Sequence, residues 1–444
     1  MTELLDCPKC RKAISEDKGS LKCSNCKITF PNIHGIPWLF RSPESILIQW
    51  QARTTKLLQM CLVQSAQIEQ ELLKVDLLSE TKDRLKTLKK AILENEKFLQ
   101  EFLADLWPDK NPKTVNFAVA LEEKVGATQT LESYFNNIFR DWSWDSGENE
   151  KALKCVSEIL PKNFRPKTMV VLGSGAGRLT YDLHNKLKCE HTIAVDINPL
   201  LMFLFKDIMA GEVHQLWEIP ISPMKLENVA KKQNLKFSKP TAKGISYLFT
   251  DASNLPFKDK SLDVVLTPWF VDIVKQDLRF LAQRINRALA MDGHWVNFGP
   301  LGFQHFENSE NYTVEEVRKI LTEEGFEISD AKENVLPYLS SPYSGMGRSE
   351  TVVSFIAKKK KEAKEPSYYS PLPDWITDFK KPIQPDRDLK YEIARYHLGF
   401  QILNCIDGKT SADTITALIA KHYGVSLVQA KEIVTGFLIE KFEK

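Results

Sequence analysis

A chain of 444 residues with 43% hydrophobic and 27% charged residues is ordinary for a globular protein and long enough for two or more domains. Its formal net charge of +2 gives no overall drive toward nucleic acid or an anionic membrane, and no run approaches the ~20 apolar residues of a bilayer span. Met1-Thr-Glu-Leu-Leu-Asp-Cys7 lacks the basic start and apolar core of a secretion signal. Of eight cysteines, four fall in tight pairs and four are scattered (Cys61, Cys155, Cys189, Cys405), a metal site plus free thiols, which fits a reducing cytoplasm.

Cys7-Pro-Lys-Cys10 and Cys23-Ser-Asn-Cys26 are C-x-x-C pairs separated by twelve residues. Each can present two thiolates from a tight turn to one tetrahedral Zn²⁺, and four sulfurs close the coordination shell, so the expected zinc is structural. A redox role fits poorly, because no βαβ pattern surrounds the pairs. Phe30-Pro31 and Gly35-Ile-Pro37 complete a segment that resembles small zinc-ribbon domains serving as methyltransferase activator subunits. Residues 1–43 are therefore expected to form a zinc ribbon, with His34 as a turn residue and not a fifth ligand.

From Glu44 to about Trp107 glycine is absent and apolar residues recur at helical spacing, Leu57, Leu58, Cys61 and Leu62 in one stripe and Leu85, Leu88, Ile92 and Leu99 in another. The pattern predicts a helical hairpin within 44–130, turning near Ser79-Glu-Thr-Lys82 with Ser79 or Thr81 as a cap. Mixed charge on its faces argues against a membrane or calmodulin-target helix.

Thr168-Met-Val-Val-Leu172 then runs into Gly173-Ser-Gly175-Ala-Gly177, followed by a helical pattern from Leu179 to Leu187. This predicts a buried strand, a tight turn whose glycines allow positive φ and close ligand approach, and a helix start. The next strand-like run ends at Asp196, nineteen residues after Gly177, where such folds hold a ribose hydroxyl. A dinucleotide loop reads G-x-G-x-x-G; here the third glycine comes one residue early and Arg178 stands in its place, which argues against a pyrophosphate cofactor. Phe249-Thr-Asp251-Ala252-Ser-Asn-Leu-Pro256-Phe followed by Ser261-Leu-Asp263-Val-Val resembles the class I S-adenosylmethionine (SAM) methyltransferases. That likeness implies that Asp251 and Ala252 face the adenine.

Residues 133–358 carry a narrower resemblance, to the carnosine N-methyltransferase family, at Arg140-Asp-Trp-Ser143, Trp269-Phe270-Val-Asp272 and Asn297-Phe-Gly299-Pro-Leu301 through His305-Phe-Glu-Asn308. It implies that Arg140 helps hold SAM, that Asp272 orients an acceptor imidazole, and that His305 positions the substrate or takes up a proton. Trp269 and Phe270 would face the cationic sulfonium. The bland alternatives are a helix N-cap for Asp272 and a pocket-edge structural histidine for His305. Where the family has substrate-facing tyrosines before its last strand, this sequence reads Gly347-Arg348-Ser349, and Tyr343 is the candidate substitute.

Ala210–Lys243 is too long for a simple crossover and reads as a substrate lid or a helix-bearing surface insertion. A lysine run at 358–361 and prolines 366 to 385 mark a linker over 359–386. Residues 387–444 read as a helical, winged-helix-like unit. Its Ile402-Leu-Asn-Cys-Ile406-Asp407-Gly408-Lys-Thr resembles the PqqD-like domains, which bind leader peptides by strand addition. A nucleic-acid module is the competing reading, without a concentrated basic face to support it.

Together these features predict an α/β protein with a Rossmann-like class I methyltransferase domain over 131–358. The cofactor contacts are Arg140, Gly173, Gly175, Gly177, Asp196, Asp251 and Ala252, and the catalytic pair is Asp272 and His305. The expected activity is SAM-dependent N-methylation of an imidazole or other nitrogen on a small molecule or peptide, with a peptide partner for the C-terminal unit. An RNA methyltransferase using the zinc ribbon for recognition, and a non-catalytic peptide adaptor, are the alternatives.

Overall fold

The computed structural model describes residues 1–17, 19–107, 131–238, 240, 242–274, 276–305, 308–364 and 389–442. The chain divides into two compact units, Met1–Tyr369 and Ser370–Lys444.

The first unit begins with an antiparallel sheet of β1 (Ser15–Asp17), β2 (Ser20–Cys23) and β3 (Ile28–Phe30). A tight hairpin follows, β4 (Asn32–Ile33) and β5 (Ile36–Pro37), whose turn residues His34 and Gly35 both take positive φ (55° and 68°). Helices α1 (Pro43–Leu72) and α2 (Ser79–Phe102) form the expected hairpin, burying Leu57 and Cys61 on one and Leu85, Ile92 and Leu99 on the other. The turn lies earlier than expected. Ser79 is already the first helical residue, and its hydroxyl donates to Glu80 (2.8 Å), so neither proposed cap forms.

Next come α3 (Phe135–Trp142), α4 (Glu148–Ile159), β6 (Thr168–Leu172), α5 (Arg178–Leu187), β7 (His191–Asp196) and α6 (Pro199–Met209). Strands β8 (His214–Glu218) and β9 (Lys231–Leu235) precede β10 (Ile245–Phe249), β11 (Leu262–Pro268), α7 (Leu278–Ala288) and β12 (Leu289–Gly299). The unit closes with α8 (Val314–Glu323), β13 (Phe326–Ile328), β14 (Lys332–Pro337) and β15 (Ser349–Lys359). The central sheet runs β10-β7-β6-β11-β12-β15-β13, with β14 also on β15. The first five strands are parallel and β15 is antiparallel to β12. Helices cover both faces, which is why β6 and β11 read as near-continuous apolar runs. This is the Rossmann-like class I methyltransferase fold, and its strand order reverses between β6 and β11. Open sheets of this kind bind ligands at the carboxyl ends of strands at such a switch point.

The 210–243 insertion departs from one expectation. Its described residues form the antiparallel β8–β9 hairpin and a single short turn of helix, Leu226–Asn228, not a helix-bearing surface insertion. Asn95 of α2 grips it in both directions, donating to the Trp217 carbonyl and accepting from the Trp217 amide, each at 2.8 Å. From the other side the Glu218 carboxylate accepts from Trp144 Nε1 (2.8 Å) and Gln233 Nε2 (2.7 Å). Polar β-branched-poor sequence such as Lys231-Lys-Gln-Asn-Leu235 carries little strand propensity; tertiary contacts decide its conformation.

In the second unit α9 (Leu389–Asn404), α10 (Ala412–Tyr423) and α11 (Leu427–Phe442) enclose Ile402, Ile415, Ile419 and Val434. Ser411 caps α10 by accepting from the Thr414 amide (3.2 Å), and Gly424 ends it with φ of 65°. No strand forms among its described residues, and the linker prolines lie outside the described residues. Across the described residues no helix is long and apolar enough to cross a membrane.

Candidate active site

At the end of β6 the three glycines take φ of 70°, 59° and 93°. A Cβ on Gly173 would come within 2.6 Å of the Phe270 ring, and one on Gly177 would collide with Phe205. Gly175 instead opens on free space, with nothing within 4 Å of a built Cβ, so its backbone is accessible to a ligand. The Asp196 carboxylate sits beside it, accepting from the Gly175 amide (2.8 Å) on one oxygen and from the Ile197 and Asn198 amides (2.8 and 2.9 Å) on the other. Burial raises its pKa above the usual carboxylate range, and these three amides oppose that rise. Asp196 thus ties the glycine turn to the chain entering α6.

The Arg-Asp-Trp-Ser segment at the end of α3 braces this loop from behind. Trp142 Nε1 donates to the Ala176 carbonyl (2.7 Å), and buried Asp141 accepts from the Arg178 amide at the first turn of α5 (3.2 Å). Ser143 donates to Gln233 on β9 (2.6 Å). Arg140 is left facing the sheet, held by Asp141 (2.8 Å) and lying 5.8 Å from the centre of the Trp269 ring. Asp251 and Ala252 follow β10, Ala252 buried and Asp251 exposed.

On the other side of the switch point, Trp269 directly follows β11 with φ of 44°, strained for a non-glycine residue. Its backbone lies so close to Gly299 that a Cβ there would come within 2.7 Å of the Trp269 nitrogen. Its ring stacks on Tyr338 (5.3 Å), and Nε1 donates to Glu350 (3.0 Å). Three residues on, Asp272 Oδ2 accepts from the Gly302 amide (3.1 Å). Oδ1 is buried and has no partner among the described residues. Burial raises the Asp272 pKa; the Gly302 bond opposes this and the Glu350 charge adds to it.

His305 lies on the loop after β12, its side chain only 7% exposed. Nδ1 lies 3.1 Å from the Glu310 carboxylate, which accepts, so this hydrogen bond places a proton on Nδ1. Nε2 is also buried without a partner among the described residues. Phe306 and Glu307 of the expected motif lie outside the described residues. Tyr343, the expected substrate contact, packs into the core beside the β8–β9 hairpin, with Lys231 5.3 Å from its ring centre.

Residues 119–361, more than half of the chain, match the family model described as carnosine N-methyltransferase. The chain belongs to the carnosine N-methyltransferase family. It is a SAM-dependent methyltransferase. No curated protein matches the sequence. Among solved structures, a Methanosarcina mazei SAM-dependent methyltransferase aligns over 47% of this chain and 97% of its own, at 16% identity and a TM-score of 0.32. A Haloferax volcanii complex between the Trm112 methyltransferase activator and a methyltransferase gives 52%, 96%, 13% and 0.34. A Thermotoga maritima SAM-dependent methyltransferase, described as a possible histamine N-methyltransferase, gives 52%, 96%, 17% and 0.31.

Some neighbours in this site were not evident from sequence. Glu310 lies only five residues after His305, close enough to have been suspected as its partner. Tyr338 and Glu350 come from β14 and β15 and carry no local signal; only the sheet brings them to Trp269.

A second candidate site lies in the N-terminal sheet. The sulfurs of Cys7, Cys10, Cys23 and Cys26 all lie within 4.8 Å of one another, with Cys10–Cys23 at 3.5 Å and Cys7–Cys26 at 4.0 Å. A tetrahedral ion bound at ~2.3 Å sets its sulfurs about 3.8 Å apart, so the cluster has the size zinc requires.

Proposed function

We propose that this enzyme methylates a nitrogen, that of an imidazole or a similar ring, on a small molecule or peptide, with Arg140, the three glycines, Asp196, Asp251 and Ala252 holding SAM. The observation that carries this reading is that Asp272 Oδ1 and His305 Nε2, both buried after the carboxyl ends of β11 and β12, have no partner among the described residues. Buried polar atoms are nearly always paired, so two orphans at a ligand-binding edge argue for a ligand that supplies the missing partners. A neutral imidazole supplies one of them: its N–H meets Asp272 and its other nitrogen keeps a lone pair for attack, while a second donor elsewhere on the substrate meets His305.

SAM supplies an electrophilic methyl on a sulfonium, and displacement needs little beyond alignment and an unprotonated nucleophile. Asp272 orients the ring and offsets the positive charge that grows on it during attack. The proton on the far nitrogen then leaves to Asp272, or to His305 Nε2 when that ring is neutral, its Nδ1 proton held by Glu310. Trp269 and Phe270 offer ring faces to the cation. The four cysteines hold a structural zinc, and the peptide-partner reading of residues 387–444 rests on the Ile402–Thr410 motif.

The test is formation of S-adenosylhomocysteine with imidazole dipeptides and histidine-bearing peptides. Turnover on one of them, abolished in Asp272→Asn while SAM still binds, supports the reading. SAM binding without turnover on any imidazole removes it and turns the search to RNA.

A further inference from the structure

The segment reaching toward adenine, residues 250–257, is gripped at both ends by the four-cysteine module. At its start, Trp38 forms a parallel bridge with Phe249, and the Leu39 amide donates to the Phe249 carbonyl (2.8 Å). At its end, the Asp6 amide donates to the Pro256 carbonyl (2.7 Å), Leu5 bridges Phe257, and the Lys258 amide donates to the Leu4 carbonyl (2.9 Å). The module thus occupies the exposed edge of β10 and then the loop beyond it. Leu4 to Asp6 lead directly into the first ligand, and Trp38 and Leu39 follow the β4–β5 hairpin.

Side chains repeat the connection. Leu5, Cys7 and Cys23 share one buried cluster with Ala252, Leu255 and Phe257. Arg11, in the turn after Cys10, pairs with Asp259 (2.7 Å); Asp259 also meets Arg287 (3.2 Å), whose other nitrogen donates to the Leu255 carbonyl (3.0 Å). The cysteine turn is itself stiffened by the bonds Cys7 N to the Lys12 carbonyl (2.9 Å) and Arg11 N to the Cys7 carbonyl (2.8 Å). By contrast, the glycine loop is braced by Trp142 and Asp141, outside this module.

We propose that the metal-loaded cysteine module positions the adenine loop, so that its metal and SAM bind cooperatively. This rests on the reading that Asp251 and Ala252 face adenine. Four thiolates held by one ion fix the strands and turns that carry Leu4–Asp6 and Leu39; without the ion those turns loosen, and SAM must then order the loop as it binds. Coupling of this kind is reciprocal, so bound SAM must hold the metal more tightly by the same factor.

The experiment uses the full chain, zinc-loaded and after chelation, with SAM binding read by calorimetry and backbone hydrogen exchange followed over 168–177 and 250–258. The expected result is a Kd for SAM higher by about tenfold in the metal-free protein, with faster exchange confined to 250–258. Saturating SAM should in turn reduce the share of zinc that a competing chromogenic chelator extracts at equilibrium. Arg11→Ala, which keeps all four ligands, should raise the Kd by a smaller factor. An unchanged Kd in metal-free protein overturns the proposal, as does exchange that rises equally across β6 and the adenine loop, since the module would then merely hold the fold together. Asp251→Ala separates the two layers of the inference. If it leaves SAM affinity unchanged, the adenine reading fails and the proposal with it; if it weakens SAM while metal removal does not, the coupling alone fails.

Discussion

The two halves of the sheet's carboxyl edge are held differently. Around the glycine loop the backbone itself is braced: Asp196 accepts three amides, Trp142 and Asp141 hold the loop, and Asp141 also holds Arg140, although Thr180 Oγ1, Asn198 Nδ2 and Thr250 Oγ1 are buried without a partner among the described residues. Around Asp272 and His305 two buried polar atoms have no partner among the described residues, and the backbone at Trp269 is strained. A loop braced through its own backbone is preorganised for a ligand of constant shape, whereas a strained backbone beside buried, unpartnered groups leaves the most for a second ligand to complete.

The sharpest way to break this contrast is Asp272→Asn. With an imidazole substrate, kcat/KM should fall by about 10²–10⁴-fold while the Kd for SAM stays unchanged. The same variant should be more stable at neutral pH. Because burial raises the folded-state pKa of Asp272, the unfolded chain gives up that proton first, and ionisation favours unfolding above about pH 4. A higher Tm at pH 7 that converges with the parent below that point would confirm the sign, and an equal or lower Tm at pH 7 would contradict it.

Asp196→Ala attacks the braced half. Losing a carboxylate that organises three amides should raise the Kd for SAM by roughly ten- to hundredfold, measured by calorimetry, with the fold retained. Trp142→Phe removes one hydrogen bond behind the loop while keeping most of the ring's bulk, so about 1 kcal/mol of SAM affinity, near fivefold, should be lost. If Trp142→Phe weakened SAM more than Asp196→Ala, the bracing would outweigh the direct contact.

The smallest expected effect lies away from the pocket. His34 Nε2 meets Asp207 (2.8 Å) and Nδ1 meets Asp105 (2.9 Å); Lys206 binds its carbonyl, and His214 shares Asp207 (3.1 Å). The Asp207 hydrogen bond foremost raises the His34 pKa, and burial opposes the rise. Its stabilising contribution is therefore complete below the unfolded value near ~6.5 and is lost as pH climbs through the raised folded value. His34→Gln should lower Tm more at about pH 6 than at about pH 9. An equal drop at both pH values would mean that packing against Phe203, not charge, holds this histidine.

Legibility followed sequence distance. The glycine turn, the strand entering it and the four cysteines were readable because each is complete within a few dozen residues and obeys local rules of periodicity, positive φ and ligand spacing. The cap at Ser79 was misplaced because a neighbouring carboxylate, Glu80, competes for its hydroxyl. The 210–243 insertion carries no clear period, and its strands are held from outside by Asn95 and Trp144. Tyr343 was singled out by analogy of position, yet its ring lies beside the β8–β9 hairpin, which no local pattern could have told.

Sequence by itself determined that this chain holds a methyltransferase domain with a cysteine cluster ahead of it, because strand hydrophobicity, turn glycines and C-x-x-C pairs are properties of short segments. Only the tertiary structure decided that Glu310 faces His305, that Glu350 and Tyr338 meet Trp269, and that residues 4–6 and 38–39 close on the two ends of the segment after β10. Those pairings join segments up to more than two hundred residues apart. They arise because the packed sheet fixes which strand ends and edges become neighbours, and no local preference encodes that choice.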